Sequence, residues 1–471
     1  MAGKAASYPA IPRILPDRKT THMPGLLQDS LRSLLLAFRN EFNAPTFENF
    51  LVLFVGAVIS QGSRTVSEMI RACGNLAGKH FTVYHCFLSR ANWSALAMAR
   101  ILAGIVINAV PDDEVVLVVD DTTERRSGPK VHGVACHRDA VRSTEKHLVL
   151  CFGHKWVVTT ILVKFSFAAR PWALPIIVTL YRPAKQEKAD KLRHRTLIDW
   201  AKLHVAFLVR WFPSKKFVLV GDGGYSSVEL ARFCVNRNAE LVGRLRLDSA
   251  LYAPPPPREP NRRGRPAQKG GRINSPKQEA QSLSAEWHEE VVTWYGGKQR
   301  DVKLLTGTAL RYVPCTKPVP VQWVLVRDPE GKLRDETFFS TNVNRPAQDI
   351  VGLYVQRWSV ETTFQELRTH LGIESTRNRV RLAVQRTVPC LCGLFSIISI
   401  WYGRHLATNS SALPADPWYA KTEPTFSDAI AALRLDLLSS GIMFKCSKND
   451  KSIKIPKQLW DYACQRLSRS A

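Results

Sequence analysis

Acidic residues stand in three places where their surroundings could turn them to one task. Asp120 and Asp121 close the β-branched run VVLVVDD, and Asp222 closes a second such run in KFVLVGDGGY. Glu361 lies in GLYVQRWSVETTFQELRTHLG, between Arg357 and Arg368. Carboxylates are hard oxygen ligands for divalent cations. Two such cations about 4 Å apart can activate water and stabilise a leaving oxygen in phosphodiester cleavage. An acid that follows an apolar strand is commonly a helix cap or a turn residue. Two such strand ends in one α/β core, however, open onto one crevice. Gly223 and Gly224 after Asp222 allow close backbone or substrate approach.

The third acid is placed by helical geometry. At about 100° per residue, Tyr354, Arg357, Glu361 and Arg368 fall in a stripe roughly 60° wide. Leu353, Val360, Phe364, Leu367 and Leu371 form a second, apolar stripe roughly 80° away. One face can pack on a core while the other offers a carboxylate flanked by two guanidinium groups and a phenol. A solvated salt-bridge face is the bland reading of such charges. Both arginines, however, suit phosphate.

These acids need a scaffold, and the chain supplies one in order. After a polar leader, residues 26–110 read as helices, including a two-helix stretch at 65–93. That stretch could be a helix-turn-helix with Thr82–Arg90 as its reading helix, or part of a plain bundle. From residue 115 the texture changes to strands at 115–121, 147–152, 156–165 and 174–180, then an amphipathic helix at 194–212. A strand into Asp222, a helix at 228–236 and a strand at 239–247 complete a mixed α/β core. Residues 254–278 hold seven prolines, seven Lys or Arg and one acid. They predict a solvated basic loop suited to a DNA backbone. Strands at 289–295, 303–306 and 321–327 form a β-rich insertion, and a helix starts near Asp349. A helix at 426–438 and an end with lysines at 445, 448, 451, 454 and 457 close the chain. The domain boundaries follow: 1–110 helical, with DNA end binding as its expected task; 111–250 first part of the core; 251–345 basic loop and insertion; 346–405 the Glu361 helix and its successor; 406–471 a C-terminal extension.

Composition narrows the partners. Among 471 residues, 66 Lys and Arg face 40 Asp and Glu, a net charge of +26. Such an excess favours a polyanion, and nucleic acid is the natural one. No apolar run reaches the roughly 18–20 residues of a spanning helix, and the N-terminus lacks a secretory core. No membrane partner and a cytoplasmic location are expected. Ten cysteines without a CxxC pair argue for buried thiols rather than structural zinc.

The spacing Tyr354-x2-Arg357-x3-Glu361-x6-Arg368 resembles the Y-R-E-K signature of bacterial insertion-sequence DDE transposases, with Arg in the last place. Asp121-Thr-Thr resembles their first acid motif and Asp222-Gly-Gly-Tyr225 their second. The resemblance covers roughly residues 115–375. It implies a ribonuclease H-like mixed-sheet core with a β-rich insertion and an all-α N-terminal domain. It further implies that Asp121, Asp222 and Glu361 bind two Mg²⁺ ions, with Mn²⁺ as the alternative. Tyr354, Arg357 and Arg368 would hold DNA phosphates. The activity implied is cleavage at transposon ends followed by strand transfer into target double-stranded DNA, by a homodimer in a synaptic complex at the bacterial nucleoid. Side chains at 120 and 121 point to opposite faces of a strand. Asp121 is chosen because a small polar residue follows the first acid in ribonuclease H-like folds. Trp294 and Trp323, within the insertion, are expected as sheet residues rather than as a grip on a flipped base. The competing functions are a ribonuclease H-like nuclease or resolvase that cuts without joining, and a non-catalytic DNA-binding descendant.

Overall fold

A computed structural model describes residues 27–139, 142–144, 146–258, 265–408, 421–440 and 455–469. Five helices come first: α1 (Asp29–Leu36), α2 (Ala44–Ile59), α3 (Val66–Cys73), α4 (Phe81–Ser89) and α5 (Ala95–Ile107). Their starts are written in the sequence, since Asn43, Thr65 and Ser94 each accept a backbone N–H three residues on. Gly56 lets α2 and α3 close on each other, because a Cβ there would meet the Met69 carbonyl oxygen at 2.4 Å.

The core follows as β1 (Glu114–Arg125), β2 (Ala135–Arg138), β3 (Leu150–Val163), β4 (Trp172–Tyr181), α6 (Ala184–Ala189), α7 (Leu197–Trp211), β5 (Lys216–Gly221), α8 (Val228–Val235) and β6 (Ala239–Leu245). β1 pairs antiparallel with β3, and β3 with β4, whereas β1, β5 and β6 run parallel. The spatial order β4-β3-β1-β5-β6, with that sense of pairing, is the ribonuclease H-like arrangement. The runs 147–152 and 156–165 are one strand, not two. The polar residues between them face partners on β1: His154 meets Glu124 and Lys155 meets Asp121. Gly153 allows the close pairing, since a Cβ there would lie 2.2 Å from the Glu124 carbonyl oxygen.

The insertion comprises β7 (Leu251–Tyr252), β8 (Arg272–Ile273), α9 (Pro276–Glu279), β9 (His288–Thr293), β10 (Gln299–Arg311), β11 (Val319–Arg327) and β12 (Glu336–Ser340). It continues the same sheet, because β12 pairs antiparallel with β6 and leads on through β11 to β10. β12 is a strand that the sequence pattern did not suggest. The end of the basic loop is also more ordered than expected, with Ser275 and Gln278 forming a reciprocal cap on α9 and Pro276 buried.

After the insertion come α10 (Ala347–Gln356), α11 (Ser359–Leu371), α12 (Arg381–Thr408), α13 (Phe426–Ser439) and α14 (Lys457–Arg469). α10, α11 and α12 cover one face of the sheet, and α7 and α8 the other. Helix α12 is long and apolar enough to span a bilayer, yet most of it is buried against β4, α1, α4, α5 and α13. Lys445, Lys448, Lys451 and Lys454 lie outside the described residues. The face 353, 360, 364, 367 and 371 is buried as its spacing predicts.

The helix expected to run unbroken from Asp349 tightens between α10 and α11. Arg357, Trp358, Val360 and Glu361 donate their N–H groups three residues back instead of four. The insertion fixes where this happens, because Phe338 of β12, fully buried, packs on the Tyr354 ring at 4.3 Å. Phe338→Ala is expected to lower the unfolding free energy by about 3–5 kcal/mol through the lost ring and the cavity left behind. Urea denaturation followed by circular dichroism measures this. A loss under about 1 kcal/mol would show that α10 is held by other contacts.

Candidate active site

Parallel pairing of β1 with β5 ends on Val118 opposite Val220 and Val119 opposite Gly221. The next residues are Asp120 and Asp222, which therefore stand side by side. β5 ends at Gly221, but β1 runs on past Asp120 to Arg125, paired with β3, so the first acids lie inside their strand instead of closing it as expected. One oxygen of each carboxylate is tied to backbone. Asp120 Oδ1 accepts the Asp121 N–H at 2.8 Å, and Asp222 Oδ1 accepts those of Gly224 and Tyr225 at 2.9 and 3.2 Å. The second oxygen of Asp120 accepts from Arg357 Nη1 at 2.8 Å. Burial pushes the Asp120 carboxyl up to about 7; Arg357 pulls it down and the Asp222 charge pushes it up.

Glu361, half-exposed on the first turn of α11, lies 3.6 Å from the same Arg357 nitrogen. Arg357 thus joins Asp120 and Glu361: burial works against its charge, but Asp120, the Tyr354 phenol, Glu361 and the charge of Asp222 hold its pKa above the ordinary value. Asp121 is absent from that set. Among the described residues no three carboxylates stand close enough to hold one ion as they are. The guanidinium sits where their charges meet, and its Nε–H is buried without a hydrogen-bond acceptor. Arg368 donates to the Thr122 hydroxyl, two residues along β1 on the Asp120 face, and lies 3.5 Å from Glu374. Tyr354 is buried beneath Arg357, whose guanidinium lies 5.8 Å from the ring centre.

Asp121 turns to the opposite face. Its Oδ2 accepts from Lys155 Nζ at 3.0 Å and its Oδ1 from the Tyr225 hydroxyl at 3.2 Å. The choice of Asp121 from the threonine that follows it therefore meets a geometric objection. Alternation along β1 lets only one neighbour share the side of Asp222, and the register with β5 selects Asp120.

Sequence reasoning missed Lys155 and Glu124, and named Tyr225 only as the end of the second acid motif, without a role. Glu124 is fully buried on the Asp120 face, accepting from Trp156 Nε1 at 3.0 Å and the Thr376 hydroxyl at 3.2 Å. The alternation Asp120, Thr122, Glu124 was the available signal that this parity faces polar partners. Trp323 is buried, its ring covering Gly307, as expected of a sheet residue. Trp294 is partly buried and meets Tyr295, which in turn meets the half-exposed Trp358. In the helical region α3 and α4 form as expected. Phe81, Thr82, Val83, His85 and Arg90 are exposed on or just beyond α4, while Tyr84, Phe87 and Leu88 are buried. A cavity of about 410 Å³ lies between α5, β4, α7 and α12, lined by Leu102, Ile177, Trp200 and Pro389. It is apolar and holds none of the three acids, which open instead onto the surface.

A sequence model described as DDE superfamily endonuclease matches residues 37–301, more than half of the chain. The chain belongs to the DDE superfamily of endonucleases. The matched segment includes Asp120, Asp121 and Asp222 and stops before Glu361. No curated protein matches the chain. A cryo-EM structure of a piggyBac transposase synaptic complex with hairpin DNA aligns over 94% of this chain and 82% of that one, at 11% identity and a TM-score of 0.42.

The endonuclease holds a partly buried cation among its acids, and removing it leaves their charges uncompensated. Arg357→Ala is expected to lose on the order of 3 kcal/mol of stability in metal-free buffer. Saturating Mn²⁺ should recover more of that loss than it adds to the wild type, because a divalent ion supplies the missing charge. Thermal unfolding with chelator and with MnCl₂ measures both. Equal Mn²⁺ gains in the two proteins would remove Arg357 from the role of counter-ion.

Proposed function

We propose that this endonuclease is a transposase that cuts DNA at transposon ends and joins them to target DNA, with Asp120, Asp222 and Glu361 as its metal ligands. The observation that carries the reading is the side-by-side placing of Asp120 and Asp222 by the β1–β5 register, with Arg357 joining Asp120 to Glu361. This grouping, with the Asp120 carboxyl raised by burial and by Asp222, suits a divalent cation. Asp120 and Asp222 each keep one oxygen fixed by backbone, and Asp120 turns its other oxygen to Arg357. Two Mg²⁺ ions, or Mn²⁺ in their place, would activate the attacking oxygen and stabilise the leaving one. Arg357 would exchange its carboxylate partners for a DNA phosphate, which its unpartnered Nε–H supports. Arg368, partly exposed, would contact a neighbouring phosphate, while Tyr354, buried beneath Arg357, would act on the DNA by supporting that guanidinium.

A joining enzyme rather than a simple nuclease is favoured by the Tyr354–Arg368 motif and by the insertion, which extends the sheet beside it. The net charge of +26 suits two DNA segments held at once. Within this reading the helical domain at 27–110 contacts the transposon end through the exposed side of α4. Two chains form the synapse, and the protein acts on the bacterial nucleoid.

The test is a cleavage and strand-transfer assay on end DNA. Asp120→Asn, Asp222→Asn and Glu361→Gln should each lower both steps on the order of a thousandfold or more while leaving end binding nearly intact. Asp121→Asn should keep measurable activity. If Asp121→Asn is dead and Asp120→Asn active, the first ligand is misassigned. Cutting without joining of pre-cleaved ends would favour the nuclease or resolvase, and binding without cutting the non-catalytic descendant.

A further inference from the structure

The side of β1 that faces away from the proposed metal site carries a second set of contacts. Tyr225 is nearly fully buried and bridges the two acid motifs by itself. Its backbone N–H donates to Asp222 Oδ1 at 3.2 Å, and its hydroxyl donates to Asp121 Oδ1 at 3.2 Å. Lys155 of β3 takes the other oxygen of Asp121 at 3.0 Å. Both acceptor atoms of Asp121 are thus engaged, and the three strands β3, β1 and β5 are linked just where their carboxylates emerge. The ring is admitted because residue 221 is glycine, whose hypothetical Cβ would lie 2.6 Å from Tyr225 Cβ.

We infer that Tyr225, Asp121 and Lys155 form a positioning latch that sets the separation of Asp120 and Asp222 and keeps Asp121 from competing for metal. The inference rests on the assignment of Asp120 and Asp222 as ligands. Asp120 and Asp121 are adjacent on one strand, so pinning Asp121 on one face fixes where Asp120 points on the other. Tyr225 lies three residues after Asp222, so the same pin fixes the turn that carries Asp222. Mg²⁺ requires near-ideal octahedral geometry at short distance, whereas Mn²⁺ tolerates more. A loosened pair of carboxylates should therefore lose Mg²⁺ first.

The test titrates the full chain, without DNA, with MgCl₂ and separately with MnCl₂ by calorimetry. Tyr225→Phe removes only the hydroxyl and should raise the Mg²⁺ dissociation constant roughly three- to tenfold, while the Mn²⁺ constant moves less than about twofold. Asp121→Ala should shift the Mg²⁺/Mn²⁺ ratio in the same direction. The double variant should be no weaker for Mg²⁺ than Asp121→Ala alone, because both changes break one contact. An unaltered ratio in Tyr225→Phe, or additive losses in the double variant, would overturn the latch. Asp120→Ala is the control on the site itself and should abolish binding of both ions. If Asp121→Ala abolishes binding and Asp120→Ala does not, the ligand assignment fails, and the latch fails with it for that separate reason.

Discussion

Everything at the site depends on the parallel pairing of β1 with β5. It sets two carboxylates beside each other where β5 ends and β1 runs on, an arrangement that electrostatics opposes in the absence of a cation. The protein accepts this repulsion because the sheet beneath is rigid: Leu117, Val118, Val119, Leu219 and Val220 are all buried to within about one per cent of their surface. Arg357 offsets part of the cost by bringing a guanidinium to the gap. The site is thus a place of concentrated negative charge in a chain whose surface is strongly positive. That contrast draws a polyanion toward a centre that can handle it only through cations.

Much of this was legible beforehand. The two central strands announced themselves as β-branched runs reaching acids, although only β5 ends there and β1 runs on to Arg125. The 3.6-residue period of 353–371 put Glu361 and its arginines on one face. Asn43, Thr65, Ser94 and Thr196 cap the first turns of their helices, a signal that the reading by hydrophobic pattern did not use. Two kinds of information were missing. Register between distant strands is a tertiary property, and it alone separates Asp120 from Asp121. The two residues differ by one position, and period-two alternation turns that single step into opposite faces. Sequence context around the pair, including the threonines, is shared by both.

The other gap concerns polar residues that look like interruptions. His154 and Lys155 broke an apolar run and suggested two strands, yet each has an acidic partner across the ladder. A charge inside a strand pattern ends the strand only if nothing opposite can receive it. In the same way the tightened turns at 357–361 do not appear in a wheel drawn at a constant angle. They arise because α10 must rest on β12 while α11 must reach β1.

The order of these parts along the chain has a consequence for the cell that makes the protein. Asp120 and Asp222 come from strands formed early in synthesis. Glu361 arrives only after some 140 further residues have emerged and the insertion has built the surface on which α10 sits. A ribosome that stalls or terminates in that interval releases a chain with DNA-seeking charge but an incomplete cutting centre. On the proposed ligand assignment, competence is therefore deferred until the insertion and the Glu361 helix have been made.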